Sequence, residues 1–222
     1  MKNKLILITI LGTIFSAIIY FHTKSDEINI VALGDGLALG MTPYNIKGYS
    51  YNDYLKEEYK NNHKLNKYYE FASTGKTVKE LIYEIKDNKT INISNEKIEI
   101  QRAINEASIL TINIGMDELS EDKITSSIIK EYKEDIEELL SMIKMLNNKK
   151  VIVLGLYTIK KQELLNINKI NAIIRETCIS NNFTFIDISS ILNKNEYYFT
   201  NESYYINYLG HKEIYNKISK AI

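Results

Sequence analysis

Several acidic side chains of this sequence follow apolar, strand-like runs, where they could serve as metal ligands or as general acids and bases. Asp35 ends one such run, Asp117 and Glu118 end another, and Glu202 lies near the C-terminus. The carboxyl ends of parallel strands meet at one sheet edge, and a tight glycine turn there presents ligands or nucleophiles. These acids could therefore bind a divalent cation or hydrolyse a glycan. The simpler expectation is that all four are exposed to solvent at a loop-rich edge.

A serine hydrolase would need a hydroxyl nucleophile, a base, an acid that orients the base, and donors for the oxyanion. Ser73 and Ser203 are candidate nucleophiles, although neither lies at the turn after the first strand. Of the histidines, His22 flanks an N-terminal apolar run and His63 lies in a polar segment that we expect to be exposed. His211 is predicted to be a hydrogen-bonded structural residue. No hydroxyl–imidazole pair is evident from these positions.

Five strand-like runs alternate with helix-like stretches, which predicts a parallel sheet covered by helices on both faces. The predicted strands are 28–33, 68–72, 108–114, 151–154 and 183–188, and the predicted helices are 51–60, 78–86, 124–146, 164–180 and 208–222. The polar segment 87–95 is predicted to be a surface loop. Cys178 is the only cysteine, and its place in a predicted helix indicates a buried thiol.

Three segments at predicted strand ends resemble conserved blocks of the SGNH, or GDSL, hydrolases. Gly34-Asp35-Gly36-Leu37 is similar to the Gly-Asp-Ser-Leu block, with Gly36 in place of the nucleophilic serine. Ser73-Thr74-Gly75-Lys76-Thr77 is similar to the Asn-Gly-x-Thr block, and Gly75 keeps the main-chain N–H that the resemblance implies as an oxyanion donor. In the third block Asp117 replaces the asparagine donor. Because an ionised carboxylate only accepts hydrogen bonds, it would oppose an oxyanion.

A fourth segment near the C-terminus resembles the block that carries the family's catalytic acid and base. Asn207 and Gly210-His211 set its register, which places Tyr205 at the catalytic histidine and Glu202 at the acid. A phenol that titrates near pH ~10 is a poor base at neutral pH. The resemblance implies a three-layer α/β/α sandwich around a five-stranded parallel sheet of flavodoxin-like type. It places this domain over residues 25–222 and is closest to the extracellular bacterial branch of the family.

The N-terminal segment carries an apolar run at residues 5–21, preceded by Lys2 and Lys4. This run is at the short end of what spans a bilayer. It lacks a good cleavage site, so we predict an uncleaved membrane anchor over residues 1–24, with a signal peptide as the alternative. The positive-inside bias then places the domain outside the cytoplasm of a single-pass protein. A cleaved segment would make the protein secreted.

The composition is balanced, with Lys+Arg 28 against Asp+Glu 28 and a formal net charge of zero. No nucleic-acid partner is predicted from this charge, and no cofactor or metal is expected. Without a serine at position 36 or a histidine at position 205, the sequence favours an inactive family member that binds an unidentified ligand or protein. The alternatives are a hydrolase with a carboxylate-based or rearranged site, and ester hydrolysis through an unassigned serine.

Overall fold

The computed structural model describes residues 27–93, 96–120, 124–147, 149–200 and 203–222. Its strands are β1 (Ile28–Gly34), β2 (Leu65–Ala72), β3 (Thr90–Ile93), β4 (Glu96–Glu99), β5 (Ile109–Asn113), β6 (Lys150–Leu154) and β7 (Thr184–Ile186). Five of them form one sheet in the order β2-β1-β5-β6-β7, in which every neighbouring pair is parallel. The five predicted strands and their parallel arrangement are therefore confirmed.

The central strands are buried on both faces, which explains their nearly continuous apolar sequences. Every residue of β5 is buried, as are the last four residues of β6 and the last five of β1. The core formed by these strands extends to the apolar stripes of the helices on either side. Burial on two faces fixes the sheet firmly, so the loops at its edges have a rigid base.

The helices are α1 (Gly36–Leu39), α2 (Tyr51–Asn61), α3 (Val78–Lys86), α4 (Ile100–Glu106), α5 (Met116–Ser120), α6 (Ser126–Leu146), α7 (Leu164–Asn181) and α8 (Tyr208–Ser219). Helix α2 contacts α8 in one layer, and α6 contacts α3, α4 and α7 in the other. Helices α2 and α3 begin with capping boxes at Ser50 and Thr77, which satisfy main-chain N–H groups that no helical carbonyl can reach. The predicted α/β/α architecture is confirmed.

Some sequence-based boundaries and elements differ from the structure. The segment predicted as a loop at 87–95 contains β3, which pairs with β4 in an antiparallel hairpin. The strand predicted at 183–188 is shorter, and the helix predicted at 208–222 ends at Ser219. Within the described ranges no helix is both long and apolar enough to span a bilayer. The anchor predicted over residues 1–24 lies outside those ranges and stays a prediction.

Strands β1 and β5 are neighbours at the point where the strand order reverses direction. From β1 the chain crosses to β2 on one side, whereas β5 leads to β6 on the other. In open α/β sheets this reversal leaves a crevice at the carboxyl ends of the two strands, and ligands bind there. The loops that leave β1 and β5 therefore define the candidate site.

Candidate functional site

Asp35 holds the loop after β1 against the start of α5. Its Oδ1 accepts a hydrogen bond from Leu37 N at 3.1 Å, which caps α1. Its Oδ2 accepts from Gly115 N at 2.9 Å and Met116 N at 2.7 Å, so one carboxylate satisfies amides from two loops. The side chain is fully buried, and the expectation that it is exposed to solvent is wrong. Its position after a tight turn made exposure plausible, but hydrogen bonds from the N–H groups that follow β5 keep the side chain buried.

The electrostatic environment of Asp35 contains opposing contributions. Its amide donors favour the carboxylate form, whereas burial disfavours charge and the neighbouring Asp117 carboxylate repels it. Burial is the larger cause, and Asp117 is the second. Together they raise the pKa of Asp35 from 3.8 to about 7.

Asp117 places its carboxylate on main-chain amides of two other loops. Its Oδ2 accepts from Gly36 N at 3.0 Å and from Gly75 N at 2.7 Å. Two N–H groups that converge on one negatively charged oxygen at these distances have the geometry of an oxyanion hole. The sequence predicted that Asp117 would oppose an oxyanion through charge. In the structure, the Asp117 carboxylate itself accepts the hydrogen bonds of both amides, which an oxyanion would need.

Gly36 leaves the space that this carboxylate fills. A Cβ atom added there would lie 2.8 Å from Asp117 Oδ2 and 3.1 Å from Oδ1. Both separations are shorter than ordinary van der Waals contacts, and a hydroxyl beyond the Cβ would need more room. Gly36 and Asp117 are therefore matched in shape, and a serine side chain cannot be added while the carboxylate keeps its position.

Glu118 attaches the short helix α5, which also carries Asp117, to helix α3. Its Oε2 accepts from Val78 N at 3.1 Å, in the first turn of α3, and burial raises the pKa of Glu118. Asp117 and Glu118 are in helix α5 rather than in an extended strand end, so both reach neighbouring main chain. Nearby, buried Lys76 Nζ donates to Phe71 O at 2.8 Å and to Glu84 Oε2 at 2.7 Å. These contacts hold the Gly75 loop in place.

The acids do not form a metal site in the part of the chain that the structure describes. There, no group of three or more His, Cys, Asp or Glu side chains is placed to hold a metal ion. Asp35, Asp117 and Glu118 instead accept hydrogen bonds from main-chain N–H groups. The fourth predicted acid, Glu202, lies outside the described residues. The observed role of these three carboxylates is therefore to hold neighbouring main-chain segments together.

Gly36, Asp117 and Tyr205 line one small pocket, so the structure brings these three predicted site residues together. Its volume is about 10 Å³, which is room for roughly one water molecule. The ring of Tyr205 stacks on Tyr204, with centroids 4.3 Å apart. Among the described residues, those that line the pocket include no serine and no histidine, and hence no nucleophile–base pair. The volume of the pocket is too small for a substrate.

The histidines lie elsewhere or have other partners. His211 is buried, and its Nδ1 accepts from Tyr51 N at 3.3 Å, which confirms the predicted structural role. Burial lowers the pKa of His211 to about 3, so the ring is neutral at ordinary pH. His63 is exposed, as predicted, and His22 is outside the described residues.

The candidate serines do not pair with an imidazole in the described structure. Ser203 Oγ accepts a hydrogen bond from Tyr205 N at 3.1 Å. Ser73 is exposed on the rim of a shallow groove that also includes Gly75 and Lys76. Neither hydroxyl is therefore placed for activation by a histidine.

A larger apolar cavity borders the small pocket, and the sequence did not predict it. Its volume is about 150 Å³, and it shares Met116, Tyr157 and Tyr204 with the small pocket. Leu119 and Ile167 form part of its apolar wall. An apolar cavity of this size holds a benzene-sized group. Its lining comes from four separate segments, so no single stretch of sequence carried a signal for it.

The chain is similar to known proteins in both sequence and fold. The sequence model of the family described as GDSL-like lipase/acylhydrolase matches residues 30–215. No curated protein matches the chain. The matched range begins in β1 and ends in α8, so it includes all the elements that form the candidate site.

Solved structures with the same fold come from several bacterial and metagenomic sources. The lipase/acylhydrolase from Enterococcus faecalis is 16% identical with a TM-score of 0.65, covering 88% of this chain and 95% of that one. Axe2, an acetylxylan esterase from Geobacillus stearothermophilus, is 13% identical with a TM-score of 0.64, covering 87% and 93%. The lipase Lip_vut3 from a goat rumen metagenome is 16% identical with a TM-score of 0.67, covering 87% and 97%. Identities this low show the shared fold alone.

Proposed function

The chain belongs to the GDSL-like lipase/acylhydrolase family, and from this premise we propose that it is an inactive member that acts as a binding or structural module. The observation that carries the proposal is the Asp117 carboxylate, which accepts from Gly36 N and Gly75 N. An acyl oxyanion would need those same two donors. Position 36 also lacks the hydroxyl that would attack an ester, and Tyr205 replaces the base.

A carboxylate-based hydrolase has less support. Glycoside hydrolysis of the common type uses two carboxyl groups that face one site from opposite sides of the scissile bond. Among the described residues, Asp117 is the only acid that lines the Gly36 pocket. Asp117 Oδ2 already accepts hydrogen bonds from Gly36 N and Gly75 N, so this oxygen is poorly placed to face a scissile bond.

The ligand of the proposed module would place an apolar group in the cavity beside the site. The cavity of about 150 Å³ suits a group of about six carbon atoms. The acetylxylan esterase activity of Axe2 supports a small acylated or carbohydrate ligand by analogy of fold.

The proposed module is held at the membrane by its N-terminal segment, with residues 25–222 outside the cytoplasm. The apolar run at 5–21 and the lysines before it support this arrangement. Extraction of membranes at alkaline pH tests the anchor, because a spanning helix stays in the pellet. Release of the chain into the supernatant would show that the segment is cleaved or only peripherally bound.

Labelling with a fluorophosphonate probe tests inactivity. The purified full chain should remain unlabelled, because such probes react with serines that a base has activated. The variant Gly36→Ser/Tyr205→His should label only feebly, because Asp117 still lies on the amides. Adding Asp117→Asn to that variant should increase labelling. Strong labelling of the unmodified chain would overturn the proposal, and mapping the labelled serine would identify the nucleophile.

A further inference from the structure

The strands begin at the sheet edge opposite the candidate site, and we name this edge the amino edge. The loops that lead into β1, β5 and β6 meet there. Ile28 N donates to Lys64 O at 2.7 Å, and Ser108 N donates to Asn29 O at 2.8 Å. Asn147 Nδ2 donates to Ala107 O at 2.9 Å, which joins the end of α6 to the start of β5. Because crossover helices run antiparallel to the strands, their carboxyl ends also lie at this edge.

The amino edge carries acidic residues such as Glu27, Asp87 and Glu106 together with lysines that have no acidic partner. Six lysines lie at strand starts or near helix carboxyl ends at this edge: Lys64, Lys144, Lys149, Lys150, Lys217 and Lys220. None of them forms an ion pair with any residue in the described ranges, whereas Lys79, Lys86 and Lys89 all do. Lys144 and Lys217 lie in last helical turns, where a cation also complements the helix dipole. The other four lie outside those turns, so the dipole does not account for them.

Three large apolar side chains are exposed at the same edge. Met145 is 77% exposed near the end of α6, Ile179 is 72% exposed near the end of α7, and Ile222 is 44% exposed beyond α8. Helices α6 and α7 pack against each other, so Met145 and Ile179 lie near the carboxyl ends of two neighbouring helices. Exposed apolar residues among lysines are typical of surfaces that enter the headgroup region of a bilayer.

The chain also enters the domain at this edge. Ile28 starts β1, and the apolar run of the predicted anchor ends at residue 21, which leaves residues 22–27 between the run and the strand. Six residues span at most ~21 Å even when fully extended. An anchored domain therefore holds its amino edge close to the membrane surface.

We propose that the amino edge of the sheet docks on an anionic lipid bilayer through these lysines and exposed apolar residues. The candidate site at the carboxyl edge then faces away from the membrane, toward ligands in the surrounding medium. The apolar residues favour a bilayer over a soluble polyanion, which would use the lysines alone. The inference rests on the membrane attachment described under the proposed function, and it does not depend on catalytic inactivity.

Neutralising lysines measures the electrostatic part of the docking. Each lysine near an anionic surface contributes about fivefold to binding. In the anchored chain, the variant Lys144→Gln/Lys149→Gln/Lys150→Gln should therefore lower the ratio of docked to undocked domain on anionic bilayers ~100-fold. The matched control Lys161→Gln/Lys169→Gln/Lys212→Gln removes the same charge from exposed positions away from the edge, and its ratio should stay within about twofold of that of the unmodified chain.

A fluorescent label reports which edge contacts the lipid. The full chain is placed in nanodiscs of phosphatidylcholine with or without phosphatidylglycerol, and a label on Met145→Cys is compared with one on Tyr44→Cys near the candidate site. A lipid-borne quencher should quench the label at 145 in anionic discs, and the lysine variant should abolish this effect. The label at 44 should remain bright. Cys178 is buried and does not compete for the label.

Two results would overturn the inference. One is equal quenching at both positions, or quenching at 145 that the lysine variant does not change. The other is full competition by soluble polyphosphate for the docked state, together with unchanged docking by Met145→Ser/Ile179→Ser, which would identify a polyanion site. If the chain is released from the discs, attachment through the N-terminus has failed. Vesicle binding from solution by the same labelled chains then tests the amino edge separately.

Discussion

Gly36→Ser restores the hydroxyl that family enzymes carry and should destabilise this protein. The backbone at position 36 does not have a positive φ angle, so the new side chain causes no backbone strain. Its Cβ would instead lie 2.8 Å from Asp117 Oδ2, and the carboxylate must move away. That movement breaks the hydrogen bonds from Gly36 N and Gly75 N to the carboxylate. The cost therefore comes from lost contacts between loops.

The size of the effect follows from those two hydrogen bonds. A hydrogen bond to a charged group contributes about 1.5–3 kcal/mol, and water can replace Asp117 at the exposed Gly75 amide. We expect Gly36→Ser to lower the free energy of unfolding by about 2–3 kcal/mol. Asp117→Ala should cost about 2 kcal/mol because it loses the same bonds. For a domain of this size, each change lowers the Tm by about 4–10 °C.

A double-mutant cycle tests the explanation more sharply than either variant alone. If the two changes break the same contacts, Gly36→Ser/Asp117→Ala should cost about 2–3 kcal/mol, not the sum of both. Urea unfolding of the full chain in one detergent measures all four proteins. Ala72→Ser, on the neighbouring strand and half-buried, is a control for adding a hydroxyl elsewhere. Additive costs would refute the claim that Gly36 and Asp117 are matched.

Three further predictions concern buried titratable groups. Because the pKa of His211 is lowered to about 3, the folded chain binds fewer protons than the unfolded chain between pH 3 and 6.5. The contribution of His211 to stability, measured as the difference between the unmodified chain and His211→Phe, should fall by about 2 kcal/mol from pH 6.5 to 5. Asp35 acts in the opposite direction: its contribution is complete below pH 3.8 and is lost as the pH rises through about 7, and Asp35→Asn should abolish that loss. Burial raises the pKa of the Cys178 thiol to about 12, so a thiol reagent should label it only after unfolding.

Each of these predictions has its own control. His63→Gln alters an exposed histidine and should leave the acid-side stability profile unchanged. If the difference in stability between the unmodified chain and His211→Phe does not change below pH 6.5, another group is responsible. If stability changes identically through pH 7 in Asp35→Asn and in the unmodified chain, Asp35 is not the group responsible for the loss. Rapid labelling of Cys178 in the native state would contradict its burial.

The parallel sheet and its main helices could be predicted from sequence because their signals are local. Strand β5 is apolar along its whole length, and α6 repeats apolar residues at helical spacing. The hairpin of β3 and β4 was missed because each strand has only four residues, of which two in β3 and three in β4 are polar. Helix α4 was missed for a related reason, since seven residues give too few turns to establish a period.

The candidate site was predictable in its residues but not in its contacts. Motif positions identified Gly36, Gly75 and Asp117, and the structure brings them together at the carboxyl ends of β1, β2 and β5. Their contacts join residues 81 and 42 positions apart, which no local pattern encodes. Asp35 was misjudged for the same reason, because its amide donors come from a segment 80 positions away.

The close fit of Gly36 and Asp117 also bears on descent. From this state, a single codon change that introduces serine meets a carboxylate, and one that removes the carboxylate leaves no nucleophile. Under the proposed function, each step alone loses stability and gains no turnover. A return to esterase activity would then require both changes together, so the matched pair would favour further divergence away from catalysis.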